Sequence, residues 1–315
     1  MWLFGIFVEM KDAAALMIND SDLAFEKILT NPILDIAARF WDKEHYEAFK
    51  VCYRSMREID DLVDHRKANG APLTLDEQKE YRRKIENWSN EISKGLPPTE
   101  LTRTLKQFNI PVWPWQRLGK AMIYDLDHNG FKSFRTFLRY CEGAAIAPAS
   151  IFMHLCGVYE VDGKLQPPAF DIRKAARPLA LFSYLVHIMR DFEKDQRRNL
   201  NYFAEDILLK CGLSKDELNE LVRKQSSDDR IRALFSEYKR IAGYYQKLSG
   251  KTFKYLLPKL TPKYQLSLHI IYALYSHLYE KIDPHNRSFS ETDLNLSPFE
   301  VQQRINLTVS SFQPV

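Results

Sequence analysis

The sequence predicts an all-α protein, and three observations carry that reading. Only 11 of the 315 residues are glycine. That is about half the usual share and argues against glycine-rich β-architectures and nucleotide folds built on several tight turns. Apolar residues recur at helical spacing along most of the chain, interrupted by short runs of glycine, proline, aspartate and asparagine. Two capping boxes, Thr74-Leu75-Asp76-Glu77 and Ser214-Lys215-Asp216-Glu217, mark helix starts.

In chain order, a first helical block runs from about Ser21 to Phe40. A second, from Lys43 to Lys67, stops at Asn69-Gly70 with Pro72 just beyond. The helix opened at Thr74 ends at Gly95-Leu96-Pro97-Pro98, and another covers Thr99 to Phe108. Pro111-Val112-Trp113-Pro114-Trp115 reads as a loop, followed by helical periods over 116–127 and 131–157. Residues 158–170, with Gly163, Pro167 and Pro168, are the one stretch suited to a small hairpin. A long helix is expected from Asp171 to about Asn199, then others over 214–225, 229–249 and 264–282. Asp283-Pro284 breaks the last of these. This gives one helical domain over 1–284 and a polar C-terminal tail over 285–315, with a short helix from Ser297 to Val309. No Ser/Gly-rich linker divides the chain, and no repeat of fixed period is visible.

Composition narrows the function. Hydrophobic residues are 45%, charged residues 27% and aromatics 13% of the chain, the balance of a globular protein rather than a disordered or membrane-embedded one. Forty-five bases against 41 acids leave a net charge of +4, so the total implies no nucleic-acid partner. Cys52, Cys141, Cys156 and Cys211 form no C-x-x-C pair and read as free thiols of a cytoplasmic protein. The apolar opening Trp2-Leu3-Phe4-Gly5-Ile6-Phe7-Val8 is too short to span a bilayer. It is open between a helix start and a peripheral membrane contact.

Two helical stretches carry acid on one face. At about 100° per residue, Tyr53, Arg57, Asp60 and Asp64 fall within roughly 60° of one another, with Asp61 beside them. The adjacent stripe, Cys52, Met56, Ile59 and Val63, is apolar. On the 171–199 stretch, Tyr184, His187, Asp191 and Asp195 share a face, supported by Leu185, Ile188, Met189 and Phe192. Arg190, Lys194, Arg197 and Arg198 cluster at the same end. A lone D-D-x-x-D on a helix reads as a solvated acidic face. Two such faces, with aligned aromatics and apolar flanks, read as carboxylates opposed across a bundle. Such carboxylates need a hard cation, and Mg²⁺ takes oxygen ligands while keeping waters and substrate phosphates. The nearby bases complete a diphosphate clamp.

These motifs, Y-x-x-x-R-x-x-D-D-x-x-D at Tyr53–Asp64 and R-D-F-E-K-D at Arg190–Asp195, resemble those of the squalene/phytoene synthase family, the head-to-head prenyltransferases. The resemblance extends over about residues 30 to 282. Tyr140-Cys141, Asp125-Leu126, Tyr202-Phe203 and Tyr275 are supporting matches. The resemblance implies an isoprenoid-synthase bundle around a central cavity, taking two prenyl diphosphates and Mg²⁺. It makes Asp60, Asp64, Asp191 and Asp195 metal ligands, with Asp61 in support. Arg57 and Arg190 would face diphosphate oxygens, and Tyr53 and Tyr275 would line the path of an allylic cation. The family's reaction runs through a cyclopropylcarbinyl diphosphate, and squalene formation consumes NADPH whereas phytoene-type products arise by proton loss. No glycine fingerprint for a dinucleotide is present, and family members that use NADPH need none.

The sequence departs from the family in places. Asn31-Pro32-Ile33-Leu34 stands where the family carries diphosphate-binding serines, which makes Asn31 the substrate-binding candidate there. Ala144-Ala145-Ile146-Ala147-Pro148-Ala149 replaces a V-A-G-T-V-G run. Tyr184 and His187 replace Gln and Asn at the same spacing. His187 is open between a metal or diphosphate contact and a core histidine. Two rival readings stand beside head-to-head coupling: transfer or cyclisation of a single prenyl chain, and a non-catalytic relative serving in assembly. The second of these would be expected to have lost aspartates that are all present.

Overall fold

A computed structural model describes residues 33–68, 73–96, 99–224, 228–285 and 289–315. The fold is all-α. Helices α1 (Ile33–Ala38), α2 (Lys43–Ala68), α3 (Leu75–Lys94), α4 (Glu100–Gln107), α5 (Trp113–Asp127), α6 (Phe134–Cys141) and α7 (Ala147–Gly157) form the first half. A hairpin of β1 (Tyr159–Val161) and β2 (Lys164–Gln166) separates them from α8 (Ile172–Arg190) and α9 (Phe192–Arg197). The second half continues with α10 (Glu205–Lys210), α11 (Lys215–Arg223), α12 (Asp229–Leu256), α13 (Pro262–Lys281), α14 (Glu291–Leu294) and α15 (Pro298–Ser311).

Helix ends obey the sequence. Thr74 Oγ1 accepts from Glu77 N at 3.2 Å while Glu77 Oε2 accepts from Thr74 N at 2.8 Å. Ser214–Glu217 and Ser297–Glu300 close the same box. Gly95 ends α3 at φ +66°, a left-handed position that glycine adopts without strain. The hairpin turns at Asp162 and Gly163, both at positive φ, as a tight two-residue connection requires.

Four expectations change in detail. The loop expected over 111–115 is already helix from Trp113, because Pro114 sits in the first turn, where its missing N–H costs nothing. The single helix expected over 131–157 begins at Phe134 and is interrupted by a π turn, Glu142–Ile146. Gly143 lets that turn pack closely on α5: a Cβ there would lie 2.2 Å from the Arg117 carbonyl oxygen. The long helix over 171–199 breaks at Asp191, whose backbone (φ −87°, ψ 8°) lies in the sparsely allowed bridge region. Residues 289–315 hold two helices rather than a polar tail with one. Phe289 stacks on Phe235 at 4.1 Å, Leu294 and Leu296 are buried, and α15 seats Val301 and Ile305 against α13. The opening segment and Asn31 lie outside the described residues.

Helices α2, α5, α7, α8 and α13 pack about one centre, with α3 outside α5, α12 outside α8 and α15 outside α13. The core is aromatic: Trp41, Phe49 and Phe152 form one cluster, and Phe192, Phe203, Phe235 and Tyr238 another. Among the described residues no helix is long and apolar enough to cross a membrane.

Candidate active site

The central helices enclose a cavity of about 520 Å³, within the usual range of small-molecule sites. Its two ends differ in chemistry. One is walled by Leu118, Ala145, Phe152, Met153, Leu268 and Ile271, all buried apolar groups. The π turn contributes Ala144 and Ala145 to that wall, and α1 contributes Leu34. The other end carries Arg57, Asp60, Asp61 and Asp64 from α2, Asp191, Lys194 and Asp195 from the broken helix, and Arg198 just beyond it.

Both predicted acid faces therefore reach the same space. On α2, Arg57 bridges Asp60 and Asp61 through its two terminal nitrogens. Asp64 has no ion-pair partner among the described residues, and neither has Asp195. Burial, together with neighbouring Asp64, raises Asp60 to about 7. Burial and the Asp191 charge likewise raise Asp195 to about 7, and Asp64 adds to it from across the cavity. These carboxylates crowd one another and burial strips them of water, so each gains from a cation.

Asp191 is the exception. Burial pushes it upward, but the His187 ring and the Arg190 guanidinium outweigh that and hold it at about 2. Arg190 Nε and Nη2 donate to Asp191 Oδ1 and Oδ2 at 2.6 and 3.0 Å. Its Nη2 also donates to His187 Nδ1 at 2.8 Å. An arginine can only donate, so Nδ1 must be the bare nitrogen and Nε2 carries the proton, 3.4 Å from Asp191 Oδ2. Burial and the Arg190 charge depress His187 to about 4, so it is a neutral donor at pH 7. His187 lines the cavity.

The remaining predicted residues divide. Tyr53, Tyr184 and Tyr275 line the cavity, and Tyr275 lies close enough to Tyr53 to raise its pKa further, beyond the larger effect of burial. Arg190 stands behind Asp191 and is absent from the cavity wall. Arg197 is turned outward, pairing with Glu193 at 2.6 Å. Lys194 and Arg198, three and seven residues after Asp191, continue its helical face and line the cavity instead.

A polar support beneath the α2 acids was visible in the sequence only as scattered matches. Asp125 is buried, accepts from Tyr140 Oη at 2.7 Å and from Lys67 Nζ at 3.4 Å, and its charge also raises Asp60. Tyr140 and Tyr202 line the wall beside it, and the fully covered Ser183 Oγ has no partner. No spacing rule links residues 67, 125 and 140, so only packing reveals this group.

Among the described residues no three acids or imidazoles converge into a ready-made shell around one metal ion. Mg²⁺ is usually held by one or two carboxylates and completed by water and substrate phosphate. Two unpaired acids, Asp64 and Asp195, on separate helices fit such a cation.

Comparison with known proteins accords with this geometry. The squalene/phytoene synthase family profile matches residues 35–302. Phytoene synthase 1 of Arabidopsis thaliana is 24% identical over 176 residues, 56% of this chain and 40% of that protein. Phytoene synthase 3 of Zea mays is 26% identical over 216 residues, 64% of this chain and 48% of the relative. The matches thus span less than half the length of these curated relatives. A dehydrosqualene synthase solved in complex with ligand superposes with a TM-score of 0.68 at 17% identity, covering 96% of this chain and 95% of that one. The squalene synthase HpnC from Alicyclobacillus acidocaldarius gives 0.59 at 15% identity, covering 87% and 94%. Both share the fold.

Proposed function

Because the chain belongs to the squalene/phytoene synthase family, we propose that it condenses two allylic prenyl diphosphates head to head into a squalene- or phytoene-type hydrocarbon. The observation that carries this reading is the cavity's polarity: acids and bases from two helices at one end, a largely apolar wall at the other. A prenyl diphosphate has the same division.

Asp60, Asp61 and Asp64 on α2, with Asp191 and Asp195 opposite, would hold Mg²⁺. When bound, Mg²⁺ would supply positive charge to the diphosphate oxygens. Arg57, Lys194 and Arg198 add fixed cations at the same end, where charge develops as the C–O bond breaks and the diphosphate leaves with the electron pair. Tyr53 and Tyr275 turn aromatic rings to the cavity, where ring faces stabilise an allylic cation. The apolar wall excludes water that would otherwise quench it. The second substrate's double bond then supplies the electron pair of the new C–C bond, and proton loss gives a cyclopropylcarbinyl diphosphate. A second ionisation and rearrangement ends in hydride addition from NADPH or in a further proton loss.

The test is incubation of purified protein with Mg²⁺ and farnesyl or geranylgeranyl diphosphate, with and without NADPH, followed by product mass. A C30 or C40 hydrocarbon supports the proposal. Products carrying one prenyl chain would sink it in favour of a single-substrate reaction. No turnover, with no Mg²⁺-dependent diphosphate binding, would favour a non-catalytic relative.

A further inference from the structure

The outer face of α12 takes no part in the cavity and has an unusual composition. Between Tyr238 and Tyr279 the chain carries Lys239, Arg240, Lys247, Lys251, Lys254, Lys259 and Lys263, and no aspartate or glutamate. At about 100° per residue, Tyr244, Lys247, Lys251, Lys254 and Tyr255 fall within an arc of roughly 100° on α12. All five are exposed; Tyr244 and Tyr255 keep 61% and 60% of their surface open, although both are large aromatics.

Some surface bases of the protein are paired with acids and, among the described residues, the lysines of this face are not. Lys79, Lys84, Arg82 and Arg197, for example, are each answered by a carboxylate. Lys247, Lys251, Lys254 and Lys259 have no such partner among the described residues, and Lys259 instead rests 4.7 Å over the Tyr255 ring. The opposite side of α12 is committed to the core through Leu234, Phe235, Tyr238, Ala242 and Phe253, so the stripe is carried on one continuous helix.

We propose that this face docks the protein on an anionic lipid bilayer. A row of unpaired lysines along one continuous helix complements a sheet of acidic headgroups. Tyrosine rings with a polar tip and an apolar body suit the headgroup level. A nucleic acid would equally attract the charge, but two outward tyrosines on the same arc favour the lipid interface. The inference does not depend on the proposed reaction, since binding is measured without substrate.

The test is co-sedimentation of the full chain with vesicles of phosphatidylcholine alone and of phosphatidylcholine mixed with phosphatidylglycerol. The wild type should bind the mixed vesicles, release from them as salt rises, and ignore the neutral ones. Each lysine is worth about fivefold, so K247E/K251E/K254E should weaken binding by about a hundredfold or more. Y244S/Y255S should weaken it by less. Unchanged melting and unchanged turnover in detergent confirm that the variants fold, since none of these residues touches the cavity. Equal vesicle binding by the lysine variant and the wild type would overturn the proposal. So would equal binding to neutral vesicles, or binding to duplex DNA or an acidic polypeptide with none to anionic vesicles.

Discussion

Arg190 grips Asp191 with two nitrogens, Nε to Oδ1 at 2.6 Å and Nη2 to Oδ2 at 3.0 Å, across the break between α8 and α9. The same guanidinium fixes the His187 tautomer, so one side chain sets the charge of the acid and the orientation of its neighbour. Arg190 is thus a positioning residue. Arg190→Gln should raise the Asp191 pKa and lower Mg²⁺ affinity or turnover by about 10- to 100-fold, the range seen when groups behind a metal ligand are removed. Titrating activity against Mg²⁺ reads this out; an unchanged Mg²⁺ curve would refute it.

The raised acids make the metal-free fold sensitive to pH. A carboxyl whose pKa rises on folding stabilises the fold while protonated, and that contribution is lost as pH climbs through the folded value. Asp60 and Asp195 therefore lose theirs between about 4 and about 7. Asp191 works in reverse, its contribution vanishing only as pH falls toward about 2. In EDTA, the melting temperature should drop more steeply from pH 5 to pH 8 in the wild type than in Asp60→Asn/Asp195→Asn. Added Mg²⁺ should recover the wild type alone. Parallel melting profiles for the two proteins would argue that these acids ionise normally.

Tyr140→Phe removes the hydroxyl that donates to buried Asp125 and leaves Lys67, 3.4 Å away, as the remaining contact. A hydrogen bond to a buried charged group contributes about 1.5–3 kcal/mol. Urea denaturation should show a loss of that order. A change below about 0.5 kcal/mol would mean the carboxyl finds another donor.

Arg197→Ala should change kcat/KM by no more than about twofold, because its partner Glu193 and its side chain lie outside the cavity. Arg198→Ala, one residue on, should act on substrate binding. Reversed behaviour of this pair in steady-state kinetics would contradict the register after Asp191.

The α2 site was legible because a helix converts spacing into direction. Tyr53, Arg57, Asp60 and Asp64 needed only 3.6-residue periodicity, and the apolar stripe beside them gave the inward side. The same rule carries past Asp191, where seven residues lead to Arg198 on the cavity face and six lead to Arg197 on the outside. The hairpin was legible because Asp162-Gly163 accepts positive φ. The start of α5 was not, since Pro114 looks the same in a loop and in a first helical turn. Asp125 with Lys67 and Tyr140 was beyond reach for a different reason. Their meeting depends on how α2, α5 and α6 stack, and no local pattern encodes that.

The two-ended cavity has a kinetic consequence. On the proposed reaction, a substrate arrives with a charged end that the α2 and α8–α9 side chains can seize and a tail that the alanines, Phe152 and Ile271 can bury. The hydrocarbon that forms has no charged end at all. Water repels it. Departure then depends on an apolar phase waiting outside, which makes egress a natural slow step and would tie turnover to the proposed bilayer contact.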